Sequence, residues 1–384
     1  MPFVPVLKPI FQAGIRLSPM RPAWLEVNFD ALAHNYNLLR SRAGNTQVIG
    51  VVKANAYGHG AVEVGKELLR LGAWGLAVAT TDEARELRRA GIVARILLMG
   101  SLHPQQAREV VELDLIPSIS TLESAEALNA LGKPVTVHLE FDTGMGRVGF
   151  QPEEAPQVKE HFARYDNLLI QGIYSHFADA EEDVLWTKEQ IASFKQVQQV
   201  FGPGYFYHLC NTAGTFNFGE YGLSAVRPGI GLYGLLPHLG LKPIARLLAK
   251  PTQVKELPPG RRIGYSGLYT TQGREWIATL PVGYADGIPR LVFNRATVRY
   301  YPDDQPCTCP VVGRISMDQI TVKLPGPVGL EQVFEVVTPD FDPTSSLWGW
   351  AELTGTVSYE PAVRLAARLP RVYLRDGVEV ARAG

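Results

Sequence analysis

Five polar clusters stand out in this chain of 384 residues, because each directly follows a short apolar run. Lys53-Ala54-Asn55-Ala56-Tyr57-Gly58-His59-Gly60 follows residues 47–52. Glu140-Phe141-Asp142-Thr143-Gly144-Met145-Gly146-Arg147 follows 134–139, and Ser175-His176 follows 168–174. Asn211-Thr212 trails His208 after 205–209, and Arg227-Pro228-Gly229-Ile230-Gly231 follows 224–226. Taken singly, a lysine at a strand end usually snorkels to solvent. A lone histidine such as His176 or His208 is more often a hydrogen-bonding group than a catalyst. Glycines around 144–149 read as a turn. More telling is the last pair of clusters: the Gly229 and Ile230 N–H groups with the Thr212 hydroxyl make a cradle suited to a phosphate dianion. A lysine beside a phosphate cradle is what pyridoxal phosphate requires, since its aldehyde condenses with a lysine amine.

Positioning these clusters calls for a regular scaffold. Short apolar runs at 47–52, 74–79, 95–99, 115–119, 134–139, 168–174, 205–209 and 224–226 alternate with amphipathic segments such as 60–71, 81–90 and 183–200. Asp30 reads as the cap of a helix running to about Arg42. Eight strand–helix units in about 200 residues predict an α/β chain with a (β/α)8 TIM-type barrel, whose working residues sit past the C-terminal strand ends. The alternative is an open doubly wound sheet, but no G-x-G-x-x-G turn follows the first run. Beyond Leu241 prolines and glycines become dense and the apolar runs (276–282, 296–300, 311–315, 320–324) shorten and alternate, as in a mostly antiparallel β domain, with one late helix at 359–367. The expected division is an extension over 1–21, a barrel over 22–245 and a β domain over 246–384. Residues 23–28 are a strand that either domain could take.

Composition narrows the function classes. Lys plus Arg number 37 against 38 Asp plus Glu, a net charge of −1, so no basic field exists to grip nucleic acid or an anionic membrane. No apolar stretch is long enough for a membrane span, and 1–20 lacks the continuous apolar core of a secretory signal. Three cysteines cannot form a disulfide framework, which points to a reducing, cytoplasmic setting. Cys307 and Cys309 have no second Cys or His cluster at metal spacing, so no metal site is expected.

Lys53–Gly60 also resembles the cofactor-attachment motif of alanine racemases. The likeness continues through Asp142–Arg147, His176-Phe177, Asn211-Thr212, Arg227–Ile230, Gly283-Tyr284-Ala285-Asp286-Gly287, Gly313-Arg314-Ile315-Ser316-Met317-Asp318 and Val357-Ser358-Tyr359-Glu360, in the family's order and over nearly everything after Pro22. The resemblance implies a barrel followed by a β domain, pyridoxal 5'-phosphate, alanine as substrate, and a homodimer with shared active sites. It implies two bases on opposite faces of the cofactor plane: Lys53, and Tyr265 from the partner subunit, with His208 against that tyrosine. Arg227 would stand behind the pyridine nitrogen, keeping it neutral because a guanidinium does not give up its proton. Tyr57, Asn211, Thr212, Gly229, Ile230 and Tyr359 would hold the cofactor, mainly at its phosphate, with His176 along the ring face. Arg147 would receive the substrate carboxylate. Met317 and Tyr284 would close the substrate end from the other subunit, with Asp318 in support.

Two positions depart from the family pattern. Glu140 stands where the family often has a carbamylated lysine, and is expected to supply that negative charge in a charge-assisted pair with Arg147, longer or water-bridged because its stem is shorter. Gly264-Tyr265-Ser266-Gly267 replaces a Ser-Tyr-Gly, and Ser266 is expected to resist the positive φ that glycine takes cheaply. Two other readings remain at this point: a decarboxylase on the same plan, which would want an acidic partner where Arg227 sits, and a cofactor-storing barrel, which would not need Tyr265, Tyr284 and Met317.

Overall fold

A computed structural model describes residues 21–44 and 46–383; the extension expected over 1–21 lies, apart from Arg21, outside the described residues. The first strand, β1 (Ala23–Asn28), runs into a helix over Phe29–Arg42. That helix is capped by Asn28, not by Asp30: the Asn28 side chain accepts from the Asp30 and Ala31 amides. Asp30 falls in the first turn, where its charge suits the helix dipole and its carboxylate accepts from the Asp376 amide.

Eight parallel strands then close a barrel: β2 (Gln47–Val51), β3 (Gly75–Val78), β4 (Ile96–Leu98), β5 (Ile116–Ile119), β6 (Val135–Glu140), β7 (Leu168–Tyr174), β8 (Phe206–His208) and β9 (Ala225–Val226), with β9 pairing back onto β2. Every expected barrel run but one contains one of these strands or coincides with it; β6 runs one residue past its expected run, to Glu140. Amphipathic helices such as Ala61–Arg70, Thr81–Arg89 and Val184–Phe201 lie between them and turn their apolar stripes to the sheet.

The rest of the chain is mostly antiparallel: β10 (Ala245–Ala249), β11 (Gln253–Leu257), β12 (Arg262–Ile263), β13 (Tyr269–Thr270), β14 (Glu275–Leu280), β15 (Thr297–Tyr300), β16 (Cys307–Pro310), β17 (Ile320–Leu324), β18 (Phe334–Val337), β19 (Arg371–Arg375) and β20 (Val378–Ala383). A seven-stranded sheet runs β16-β15-β18-β10-β1-β19-β20, so β1 lies antiparallel to β10 and parallel to β19, outside the barrel. Residues 311–315 do not form the expected strand. Only a single bridge, Val311 to Val322, forms before Gly313 takes φ 76 and turns the chain. A helix over Leu347–Thr354 appears where the sequence shows no apolar stripe.

Candidate active site

Lys53 opens a five-residue turn directly after β2, and the turn is left-handed. Ala54, Asn55, Ala56 and Tyr57 all have φ between 50 and 54°, a conformation costing about 1–2 kcal/mol for each non-glycine residue. Local bonds hold it. Glu83 Oε1 accepts from the Ala54 amide at 2.7 Å while its Oε2 accepts from Ala79 at the end of β3. Asn55 Oδ1 accepts from the Ala61 amide, and Arg371 donates to the Gly58 carbonyl. Gly58 itself, at φ 84°, has no room for a side chain, since a Cβ would sit 2.1 Å from the Ala362 carbonyl oxygen. Glu83 was not singled out from the sequence, although Thr80-Thr81-Asp82-Glu83 carries the capping-box spacing that the structure uses.

The turn forms one wall of a cavity of about 230 Å³ at the C-terminal ends of the barrel strands. Lys53, Tyr57, His176, Asn211, Thr212, Arg227, Gly229, Ile230 and Tyr359 all line it. Asn211 caps the helix Thr212–Asn217, and Thr212 Oγ1 accepts from the Gly229 and Gly231 amides, both at 3.2 Å. The phenol of Tyr57 lies so near Gly229 that a Cβ there would fall 2.3 Å from its oxygen. Tyr57 is stacked on Tyr233, 4.7 Å between centroids, and Tyr233 on His59.

Lys53 and Arg227 bring positive charge into the cavity, and the carboxylates Asp179 and Glu181 also line it. Burial and the neighbouring Arg147 lower the Lys53 pKa, partly opposed by Glu83. Burial and the cations Arg227, Arg147 and Lys53 push His176 down to about 3, so its ring is neutral at neutral pH. Arg227, 2% exposed, lies 4.8 Å over the Tyr174 ring. Its Nη1 donates to His208 Nδ1 at 2.7 Å and its Nη2 to the Ser175 carbonyl at 2.6 Å. Its Nε is buried and has no partner. An orphaned donor on a side chain that lines a cavity, beside a lysine and a glycine-lined cradle, suits a ring nitrogen. The residues present therefore fit pyridoxal 5'-phosphate.

Two supporting residues are placed differently from expectation. His208 has no exposed surface and both ring nitrogens are engaged, Nδ1 with Arg227 and Nε2 with His138 Nδ1 at 2.9 Å. No atom is left for Tyr265 of either subunit. Glu140 makes no ion pair with Arg147 among the described residues. It ends β6 pointing inward, in register with Tyr174 on β7, whose hydroxyl lies 2.7 Å from both Glu140 Oε2 and Ser118 Oγ. Arg147 stands seven residues later on an exposed loop that Asp142 braces through the Gly144 and Gly146 amides. Burial raises Glu140 to about 7, against the lowering effects of the Tyr174 hydrogen bond, Arg227 and Arg147.

Tyr265, Tyr284 and Met317 do not line the cavity of their own chain and are 67%, 41% and 53% exposed. Tyr284 and Met317 are neighbours: the Tyr284 amide donates to the Ser316 carbonyl, and the Ala285 amide to that of Met317. Asp318 pairs with Arg368, which also binds Asp286. Ser266 does take the left-handed conformation, at φ 61° and ψ 3°.

Comparison with known proteins shows the family. Residues 27–237 match the alanine racemase N-terminal domain and residues 244–373 the alanine racemase C-terminal domain. The chain belongs to the alanine racemase family. It is 37% identical over 371 residues to the alanine racemase of Halothermothrix orenii, covering 92% of this chain and 97% of that one. The alanine racemase of Desulforamulus reducens is 38% identical, with 92% and 99% covered. Among solved alanine racemase structures, that of Clostridium difficile 630 superposes with a TM-score of 0.87 at 32% identity, covering 95% of this chain and 99% of that chain. The Bacillus anthracis enzyme with bound L-Ala-P gives 0.86 at 33%, covering 95% and 98%.

Proposed function

We propose that this chain is a pyridoxal 5'-phosphate-dependent racemase that interconverts L- and D-alanine. The observation that carries the reading is the unpartnered Nε of Arg227, a side chain that lines the cavity together with Lys53 and the Thr212–Gly229 cradle. When bound, the cofactor supplies the electron sink that makes an amino-acid α-hydrogen acidic. Tyr57, Thr212 and the Ile230 amide hold its phosphate, joined by the Gly229 amide as it leaves the Thr212 hydroxyl, with Asn211 and Tyr359 alongside. Arg227 donates a hydrogen bond from Nε to the ring nitrogen without giving up the proton. That pairing keeps the ring a modest sink and favours return of the proton to the α-carbon over side transamination. Lys53 takes or returns that proton on one face. On the other, the partner's Tyr265 does so in a homodimer, with Tyr284 and Met317 closing the substrate end and Arg147 receiving the carboxylate. His176, which lines the cavity, takes the place at the ring face.

Residues 22–245 act in this scheme as the cofactor-holding barrel and 246–384 as the domain that completes the partner's site. Tyr359 leaves room for a methyl group rather than a long side chain. D-alanine for cell-wall peptidoglycan, made in the cytoplasm, is the implied product. Among the described residues no helix is long and apolar enough to cross a membrane.

Incubation of the cofactor-loaded protein with L-alanine in D2O tests the reading. Loss of optical rotation with deuterium at the α-carbon is expected, and borohydride should leave a pyridoxyl mass on the Lys53 peptide. Release of carbon dioxide, or binding without exchange, would overturn it.

A further inference from the structure

A file of hydrogen-bonding groups runs from Arg227 through the barrel interior, and its direction is fixed by chemistry. Arg227 keeps its protons, so Nη1 must donate and His208 Nδ1 must accept. A neutral His208 then carries its hydrogen on Nε2, which faces His138 Nδ1 at 2.9 Å. His138 Nδ1 must therefore accept, and its own hydrogen sits on Nε2, 3.3 Å from Gln171 Oε1. Both imidazoles are held neutral: burial, then the cation Arg227, lowers His208 far below its usual range, and burial lowers His138 to about 4. Groups facing His138 are His208, Gln171 and the rings of Trp74 and Phe206, with the Arg227 charge beyond. The space for His138 is built in. Its register partner on β7 is Gly172, where a Cβ would meet the imidazole at 2.6 Å.

The arrangement answers a physical need. The hydrogen-bond partners of the Arg227 guanidinium are two carbonyls and two imidazoles, none of them a carboxylate. With no carboxylate bonded to it, and Glu140 acting on it only through space, this buried cation is stabilised by dipoles whose negative ends face it. The His208 and His138 imidazoles are aligned in that sense, and the Gln171 carbonyl oxygen, as acceptor, holds the far end.

We propose that His138 and Gln171 are positioning residues: they fix the tautomer of His208 and so hold the Arg227 guanidinium turned with Nε–H free toward the cofactor's ring nitrogen. The catalytic part of this rests on the function proposed above; the hydrogen-bond direction does not.

Two measurements test it. In cofactor-loaded protein labelled with 15N-histidine, eight histidines in all, solid-state spectra assigned with His138→Asn should show His138 and His208 both neutral with hydrogen on Nε2. A hydrogen on Nδ1 of either ring, or a charged ring, would overturn the proposal. The second measurement reverses the far end. Gln171→Lys offers only donors and sets two N–H groups against each other along the file. It should lower kcat on the order of tenfold, the scale of one unsatisfied buried group, with the KM for alanine within about twofold and a larger share of transamination. Gln171→Glu keeps an acceptor and should behave as wild type. Equal behaviour of the two variants would overturn the proposal, and Gln171→Met, with no acceptor, gives the same reading if the lysine variant folds poorly. Tautomers are read on the protein itself. Failure of the functional reading would thus appear as the expected tautomers in a protein that leaves alanine unchanged, and failure of this proposal as the wrong tautomers in one that racemises it.

Discussion

Replacing Glu140 by glutamine separates two accounts of this residue. As a charged partner of Arg147 its carboxyl would be held below its ordinary value; burial beside Tyr174 instead raises it from 4.5 to about 7. The folded protein then holds a proton between those values that the unfolded chain has lost. Stability from this group is complete below pH 4.5 and is lost as pH rises through 7. At about 1.4 kcal/mol per pH unit, the whole titration is worth roughly 3 kcal/mol, most of it between pH 5 and pH 8. In Glu140→Gln the amide side chain keeps an acceptor for Tyr174 and does not titrate. The difference in unfolding free energy between variant and wild type should therefore grow in favour of the variant by roughly 2 to 3 kcal/mol from pH 5 to pH 8. Urea unfolding at fixed protomer concentration measures it, and subtracting the wild type removes the other titrations. A flat difference, or one that grows in favour of wild type, would refute the buried-carboxyl account and restore the ion pair with Arg147.

Other perturbations follow from the same geometry. Gly229→Ala places a Cβ 2.3 Å from the Tyr57 oxygen, so the phenol must move; cofactor affinity, read by equilibrium dialysis, should fall at least tenfold with little change in folding. Glu83→Ala leaves the Ala54 and Ala79 amides without their acceptor. About 1–3 kcal/mol should be lost for each amide that stays dry, and the Lys53 turn should exchange its amide hydrogens faster. Ser266→Gly should raise the unfolding free energy by up to about 1 kcal/mol by relieving a left-handed residue, and Ser266→Val should lower it by at least as much; thermal unfolding decides.

The barrel was legible because each strand is a compact apolar run ended by a polar cluster, and that alternation survives without any knowledge of packing. Lys53, Thr212, Arg227 and Gly229 were legible for the same reason, as groups past strand ends. Which way a strand-end side chain points was not. Glu140 and His208 sit at the last positions of β6 and β8 and face the interior, so their partners are set by cross-strand neighbours, Tyr174 and His138, far away in sequence. The cap at Asn28 was hidden by a second capping-type residue, Asp30, two positions later. The helix Leu347–Thr354 was missed because two tryptophans, two leucines and a glycine give it no polar face to set the period. The left-handed turn at Ala54–Tyr57 could not be read from residue types at all, since two alanines and a tyrosine disfavour it and partners such as Glu83 and Arg371, distant in sequence, help to hold it.

The account rests on one proton-handling group for each face of the cofactor, and Tyr265→Phe tests that most directly. With L- and D-alanine supplied separately in D2O, early exchange of the α-hydrogen should persist for one enantiomer, through Lys53, and collapse for the other. Equal exchange of both, whether retained or lost together, would contradict it.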